Sequence, residues 1–112
     1  MRAEELKGHL DALLLAALES GPRHGYAVIE ALRESTGGQL DLPTGTIYPA
    51  LRRLEQAGLI SGSWSVVGGR RRRTYRLTQA GSRALAGKRV AWREFAATMS
   101  AALDGRPCPN PA

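Results

Sequence analysis

Cysteine is almost absent from this 112-residue sequence, because Cys108 is the only one and no disulfide can form within a chain. Histidine is scarce as well, and His9 and His24 do not combine with other residues into a cluster with metal-ligand spacing. We find no Ser/His/Asp set, Cys/His pair, paired carboxylates or glycine-rich phosphate loop before a helix. The sequence therefore predicts a protein that is not an enzyme and that uses no metal or cofactor.

Aromatic residues make up only 5% of the chain, so the core has to be built from Leu, Ile, Val and Ala. A thin core of this kind often gains stability when two copies of a short chain pair. No apolar run approaches the ~20 residues that span a bilayer, and residues 1–5 lack the layout of a secretion signal. We therefore expect a cytoplasmic protein with no membrane partner.

Lysine is also rare: the chain has 14 arginines against two lysines, and its net charge is +6. Four of the arginines are consecutive, namely Arg70, Arg71, Arg72 and Arg73. Arginine forms planar, forked contacts with phosphates and base edges, so this pattern favours an anionic partner, with nucleic acid first. The alternative is a solubility effect in a genome of high GC content, where arginine and alanine codons are favoured.

The hydrophobic pattern predicts four helices and a hairpin within one small domain. The helices are expected over residues 9–18, 25–36, 44–57 and 79–103, and the strands over 40–42, 59–66 and 73–78. This order is mainly α with a small β-hairpin, a winged helix-turn-helix followed by a long C-terminal dimerisation helix. We divide the chain into a DNA-binding unit at 1–78, that helix at 79–104 and a disordered tail at 105–112.

Several single residues refine these boundaries. Pro49 is tolerated only in a first helical turn, which places the start of the regular third helix nearer Thr46 than Thr44. Gly58 is expected to close that helix in a left-handed conformation, and Thr78 to cap the last helix. For His24, a helix-capping or surface role is preferred over metal binding.

The third predicted helix is the candidate reading head, because its outward face combines arginine, glutamine and hydroxyl side chains. Arginine pairs bidentately with guanine and glutamine with adenine in the major groove, and hydroxyls near a helix N-terminus anchor phosphates. The alternative is an ordinary surface helix with solvated arginines. The candidate DNA contacts are Tyr26, Thr44, Thr46, Tyr48, Arg52, Arg53, Gln56, Arg70, Arg71, Arg72 and Arg73.

The hairpin strengthens this interpretation, because the arginine run is expected at its tip beside Gly68 and Gly69. A charged wing beside a reading helix is a recurring way to grip the backbone or the minor groove. A solvated turn that merely limits aggregation is the alternative. Trp64 is expected to pack on the base of the wing.

The last helix carries an apolar stripe that no later element can cover, which predicts packing on the first helix or on a second subunit. We expect the first and last helices of two copies to pack together, with two reading helices about 34–36 Å apart. The predicted interface residues are Leu10, Leu14, Leu85, Trp92, Phe95, Met99 and Leu103. Trp92 near the dimer axis is a tentative site for a flat aromatic ligand, with plain interface packing as the alternative.

Several segments of the sequence resemble the PadR family of transcriptional regulators. The similarity covers roughly residues 10–103, and the segment at 45–51 is its most specific part. The matching segments are His24-Gly25-Tyr26 with Ile29, Gly45-Thr46-Ile47-Tyr48-Pro49-Ala50-Leu51, Leu54-Glu55, Gly58-Leu59-Ile60, Tyr75, Leu77-Thr78 and Gly81.

The resemblance implies a bacterial dimeric repressor of stress, detoxification or efflux genes, nucleoid-associated when bound to a palindromic operator. Some members release DNA when a phenolic acid or flat aromatic drug binds, and in some a tryptophan of the C-terminal helix lines a pore at the dimer interface. By position and residue type, Trp92 resembles that tryptophan. A protein–protein adaptor that uses a winged helix without DNA is the alternative function.

Overall fold

The computed structural model describes residues 3–6 and 8–105, beginning with a short 3₁₀ turn at Ala3–Leu6. The elements that follow are α1 (Leu10–Ala17), β1 (Arg23–His24), α2 (Gly25–Ser35), α3 (Thr44–Gln56), β2 (Ile60–Val67), β3 (Arg70–Leu77) and α4 (Gln79–Asp104). Helix α3 begins at Thr44 despite Pro49, so the expected later start near Thr46 is wrong. Of the predicted tail, all but Gly105 lies outside the described residues.

Helices α1, α2 and α3 pack their apolar faces into one core. Its fully buried side chains include Leu14 and Leu15 of α1, Val28 of α2, and Ile47 and Leu51 of α3. The buried residues of α2 and α3 recur at helical spacing, so each of these two helices turns one face inward and leaves the other to solvent, whereas every residue of α1 is buried or half-buried. The core thereby fixes which side chains of α3 are presented outward.

The connection between α2 and α3 is irregular, so the strand predicted at 40–42 is wrong. Leu40 and Leu42 alternate because both are buried, at 5% and 6% exposure, while the residue between them faces solvent. The Thr36 hydroxyl closes the turn by accepting a hydrogen bond from the Leu40 amide (3.0 Å) and donating to the Leu32 carbonyl (2.7 Å). These bonds tie the start of the connector to the last turn of α2.

The sheet has three antiparallel strands in the order β1–β3–β2. Strands β2 and β3 form a hairpin, called the wing below, whose turn consists of Gly68 (φ +58°) and Gly69 (φ +77°). Two successive residues with positive φ favour glycine and match the twist of a tight hairpin. The arginines expected at the tip therefore lie within β3, starting at Arg70, which pairs with Val67.

Helix α4 starts in close contact with the end of α3. The Thr78 hydroxyl accepts a bond from the Gly81 amide (3.0 Å) and donates to the Gly58 carbonyl (2.7 Å), which confirms the predicted cap. A Cβ on Gly81 would lie 1.9 Å from the Leu59 carbonyl oxygen, so only glycine fits there. From this anchor α4 passes α1 and extends well beyond it.

Candidate nucleic-acid interface

The outward face of α3 presents the side chains that were predicted from the sequence to contact base edges. Arg52, Arg53 and Gln56 are exposed, whereas Ile47 and Leu54 on the opposite side are buried. A depression of about 260 Å³ on this face is lined by Tyr48, Pro49, Arg52, Arg53 and Gln56. Among the described residues Arg52 takes part in no ion pair, so its guanidinium is free for an anionic ligand.

Hydroxyl-bearing side chains surround the beginning of α3. Thr44 is exposed, Thr46 is half-buried, and Tyr26 and Tyr48 are 50% and 43% exposed. The helix has Pro43 at its cap position and no side-chain cap. The Thr46 amide donates to the Pro43 carbonyl, and the Thr44 and Gly45 amides before it bond no other described residue, so a phosphate can reach them.

Tyr48 is held in place by the absence of a side chain at Gly25. A Cβ there would lie 2.3 Å from the nearest atom of the Tyr48 ring, so the ring crosses the start of α2 only because residue 25 is glycine. The His-Gly-Tyr segment at 24–26 thus positions a tyrosine that lies 23 residues later in the chain.

Arg53 is already engaged, which distinguishes it from Arg52. Its guanidinium forms an ion pair with Asp11 of α1, and their side chains are 59% and 32% exposed. The pair joins residues 42 positions apart, so no local pattern in the sequence indicates it. It forms only because α1 packs beside α3.

The arginines of β3 divide between the two faces of the wing, because successive side chains of a strand point to opposite sides. Arg70 and Arg72 share one face, and Arg71 and Arg73 share the face of Trp64. Arg70, Arg71 and Arg72 are exposed, whereas Arg73 is half-buried. Three of the four consecutive arginines are therefore exposed on the wing.

Trp64 does not pack on the wing base as expected, since it is 57% exposed. The guanidinium groups of Arg71 and Arg73 lie over its ring at 4.5 and 5.1 Å from the centroid. Cations at these distances are attracted to the electron-rich face of an indole. Arg73 also forms an ion pair with Glu55 of α3, a contact that sequence reasoning missed.

His24 caps α2, as predicted from its position before Gly25. Its Nδ1 accepts a hydrogen bond from the Ala27 amide at 3.2 Å, which requires the neutral ring. Burial lowers the pKa of His24, the charge of Arg72 lowers it further, and Glu30 acts in the opposite direction. Within the described residues no three His, Cys, Asp or Glu side chains gather into a metal site.

The exposed part of α4 carries a cluster of aromatic side chains, called the aromatic surface below. Trp92 and Phe95 are 54% and 52% exposed, and their rings lie 5.9 Å apart. The ring of His9, just before α1, has its centroid 5.7 Å from that of Trp92 and 6.4 Å from that of Phe95. Met99 and Leu103 continue the same face with 41% and 75% exposure.

Two of the seven predicted interface residues are buried within one chain. Leu14 is 0% and Leu85 is 2% exposed, because both are part of the hydrophobic core of the subunit. They belong to the core of the subunit and are not available to a partner, so assigning them to an interface is wrong. Leu10 is half-buried beside them.

The comparison with known proteins assigns the chain to a family. Residues 14–87 match the transcriptional regulator PadR-like family. The chain belongs to this family. The PadR family transcriptional regulator from Eggerthella lenta has 30% identity and a TM-score of 0.81, covering 92% of this chain and 88% of that one.

Two further relatives extend the comparison of this PadR-like regulator. Bacillus subtilis PadR in complex with operator DNA has 26% identity and a TM-score of 0.65, covering 70% of this chain and 45% of that one. Transcriptional regulator Rv3488 from Mycobacterium tuberculosis is 43% identical over 74 residues, which are 66% of this chain and 56% of that protein.

These matches confirm the winged-helix fold with its long C-terminal helix. The matched family consists of transcriptional regulators, a class that is distinct from enzymes. In the part of the chain that the structure describes, no helix combines the length and apolar character needed to cross a membrane.

Proposed function

We propose that this PadR-like regulator binds double-stranded DNA through α3 and the wing. The observation that carries the proposal is the exposed cationic set formed by Arg52 on α3 and Arg70, Arg71 and Arg72 on the wing. Guanidinium groups contact phosphates and guanine edges, and a helix of this size fits the major groove. The operator complex of Bacillus subtilis PadR, a structural neighbour, supports the same use of the fold.

Within this interface the side chains divide by task. Arg52 and Gln56 on the outward face of α3 read base edges, and Arg53 joins them when it leaves Asp11. Thr44, Thr46, Tyr26 and Tyr48 anchor phosphates beside the open amides at the start of α3. The wing contacts phosphates through Arg70, Arg71 and Arg72, whereas Arg73 is bonded to Glu55.

The regulator acts as a homodimer that pairs through the aromatic surface of α4. Trp92, Phe95, Met99 and Leu103 leave an apolar face that is unusual on a monomer, and Leu10 extends it from α1. A twofold axis through this face brings two copies of α3 to one side of a duplex. Half-sites one helical turn apart, about 34–36 Å, suit such a dimer and a palindromic operator.

Binding at an operator represses transcription of a stress, detoxification or efflux operon, and a flat aromatic effector at Trp92 releases the DNA. The support for an effector site is the half-exposed indole beside Phe95 and His9, which can stack on a planar ring. An effector works only if it prefers one arrangement of the two reading helices over another.

The decisive experiment measures binding to a duplex selected from a random pool and to a random duplex, over a range of salt concentrations. Arg72→Gln is expected to weaken binding to both duplexes, whereas Arg52→Gln weakens the selected duplex by roughly 1–3 kcal/mol and relaxes one base position. Arg93→Gln, an exposed arginine far along α4, is the matched control and leaves both affinities unchanged. Equal affinities for all three variants and the wild type would refute the proposal.

The effector is tested separately by titrating aromatic compounds against preformed complex. Wild type is expected to release the duplex and to show quenching of tryptophan fluorescence, whereas Trp92→Leu, which keeps an apolar side chain in the dimer interface but cannot stack on a planar ring, retains the DNA. Identical release curves for the two proteins would remove this site.

A further inference from the structure

The ion pair between Glu55 and Arg73 is the most enclosed of the four that the described residues form. Its side chains are 27% and 28% exposed, whereas each of the other three pairs has a partner at least 50% exposed. It joins the last turn of α3 to the middle of β3, two elements that otherwise present separate DNA-binding surfaces. The contact therefore links the reading helix to the wing.

The surroundings of Arg73 hold its guanidinium in one place. The carboxylate of Glu55 binds it on one side, and the ring of Trp64, directly across the ladder, lies beneath it at 5.1 Å. Gly62 leaves the necessary room, since a Cβ there would lie 2.8 Å from both Arg73 Nε and Glu55 Oε2. Together, Gly62, the ring of Trp64 and the carboxylate of Glu55 form a site that holds the guanidinium of Arg73, called the seat below.

This seat changes what Arg73 can do in the arginine run. Its charge is compensated by Glu55, and its fork is turned toward α3 rather than outward. Arg72, its neighbour, points to the other face of the wing and forms no ion pair among the described residues. Two adjacent arginines in one strand therefore have different chemical settings.

We propose that Glu55, Arg73 and Trp64 position the wing relative to α3, and that Arg73 is a positioning residue rather than a phosphate contact. The inference rests on the proposed DNA binding. The wing and α3 have to contact the same DNA duplex at the same time. If the wing lies at the wrong angle, it still contacts phosphates, but α3 is no longer placed to bond the base edges. The seat thus sets specificity more than overall affinity.

The test compares Arg73→Gln with Arg72→Gln in binding to selected and random duplexes over a range of salt. Arg72→Gln is expected to flatten the plot of log K against log salt by about 0.9 for each phosphate that the protein no longer neutralises. Arg73→Gln is expected to leave that slope unchanged and to lower the ratio of selected to random binding about tenfold. Glu55→Gln is expected to lower the ratio by the same factor.

Further variants keep the test independent of folding. Gly62→Ala displaces the pair without removing a charge and should lower the ratio, whereas Gly87→Ala, with open space around its Cβ, should not. Glu55→Arg and Arg73→Glu should each lower the ratio of selected to random binding. The double variant, which exchanges the two charges, should restore part of that ratio. In a Trp92→Phe background, Arg73→Gln should also change the fluorescence of Trp64, the remaining tryptophan.

Two results would overturn the inference while the proposed function stands. One is a flatter salt slope for Arg73→Gln that matches Arg72→Gln with an unchanged ratio. The other is tighter binding of Glu55→Gln to both duplexes, which would mean that Glu55 merely masks a phosphate-binding arginine. A wild-type protein that binds neither duplex at low salt would instead overturn the proposed function and this inference with it.

Discussion

Replacing Phe95 with alanine tests the proposed pairing of two subunits through the aromatic surface. Phe95 is 52% exposed in one chain, and a buried aromatic side chain removes about 150–250 Å² from water, so about 100 Å² is still available for burial. At about 25 cal/mol per Å², that area corresponds to about 2.5 kcal/mol per copy. Since alanine retains part of it, the dimer loses about 4 kcal/mol over two copies, or about a thousandfold in its dissociation constant.

Sedimentation equilibrium over a dilution series measures this constant directly. Glu94→Ala is the matched control, because Glu94 is exposed and lies about 200° around α4 from Trp92. We expect wild type and Glu94→Ala to remain dimers at concentrations where Phe95→Ala is a folded monomer with unchanged circular dichroism. A Phe95→Ala protein that dissociates at the same concentration as wild type would show that α4 does not pair through this face.

Three other predictions concern single contacts. Because the folded state lowers the pKa of His24, neutral His24 stabilises the fold above pH 6.5, its ordinary value, and this stability is lost as the pH falls below it. Urea unfolding at pH 7.5 and 5.5 should show the loss in wild type, and His24→Asn, which caps α2 without titrating, should reduce it. Gly81→Ala should lower the free energy of unfolding by about 2–3 kcal/mol, because its Cβ meets the Leu59 carbonyl oxygen, whereas Gly87→Ala should not be destabilising. Asp11→Asn should release Arg53, tighten DNA binding and steepen the salt slope by about 0.9 for each additional phosphate that is neutralised; an unchanged slope would contradict this.

The helices could be predicted from the sequence because each buries a face with helical periodicity. The face of α3 was correctly divided into buried Ile47 and exposed Arg52, since a spacing of 3.6 residues determines which side chains meet the core. Capping residues such as Thr78 and His24 were also predictable, because their bonds reach only three positions along the chain. Local sequence patterns were therefore enough to predict the helices, their buried faces and two of their caps.

The errors arose where one pattern has two structural solutions. Leu40 and Leu42 alternate as in a strand, but an irregular connector can also bury two leucines. The third strand of the sheet is instead Arg23–His24, which pairs with β3 and is too short for any periodicity to appear. At the wing, the tight turn consists only of Gly68 and Gly69. The four consecutive arginines, which start at Arg70, therefore belong to strand β3 and not to the turn.

The contacts that distinguish one arginine from another could not be predicted. Glu55 and Arg73 are 18 residues apart, and Asp11 and Arg53 are 42 apart, so no helical or strand spacing connects them. Only the packing of α3 against the wing and α1 brings each pair together. The sequence pattern therefore indicated a cationic surface without showing which cations are free.

The salt dependence of wild-type binding to a selected palindromic duplex is the decisive measurement for DNA binding through α3 and the wing. If Arg70, Arg71 and Arg72 of both subunits contact phosphates, six contacts predict a slope of log K against log salt of about −5 or steeper. Such a slope, with tighter binding to the selected duplex than to random DNA, is the expected result. Binding that is independent of salt, or no binding in dilute buffer, would rule out DNA binding through these arginines.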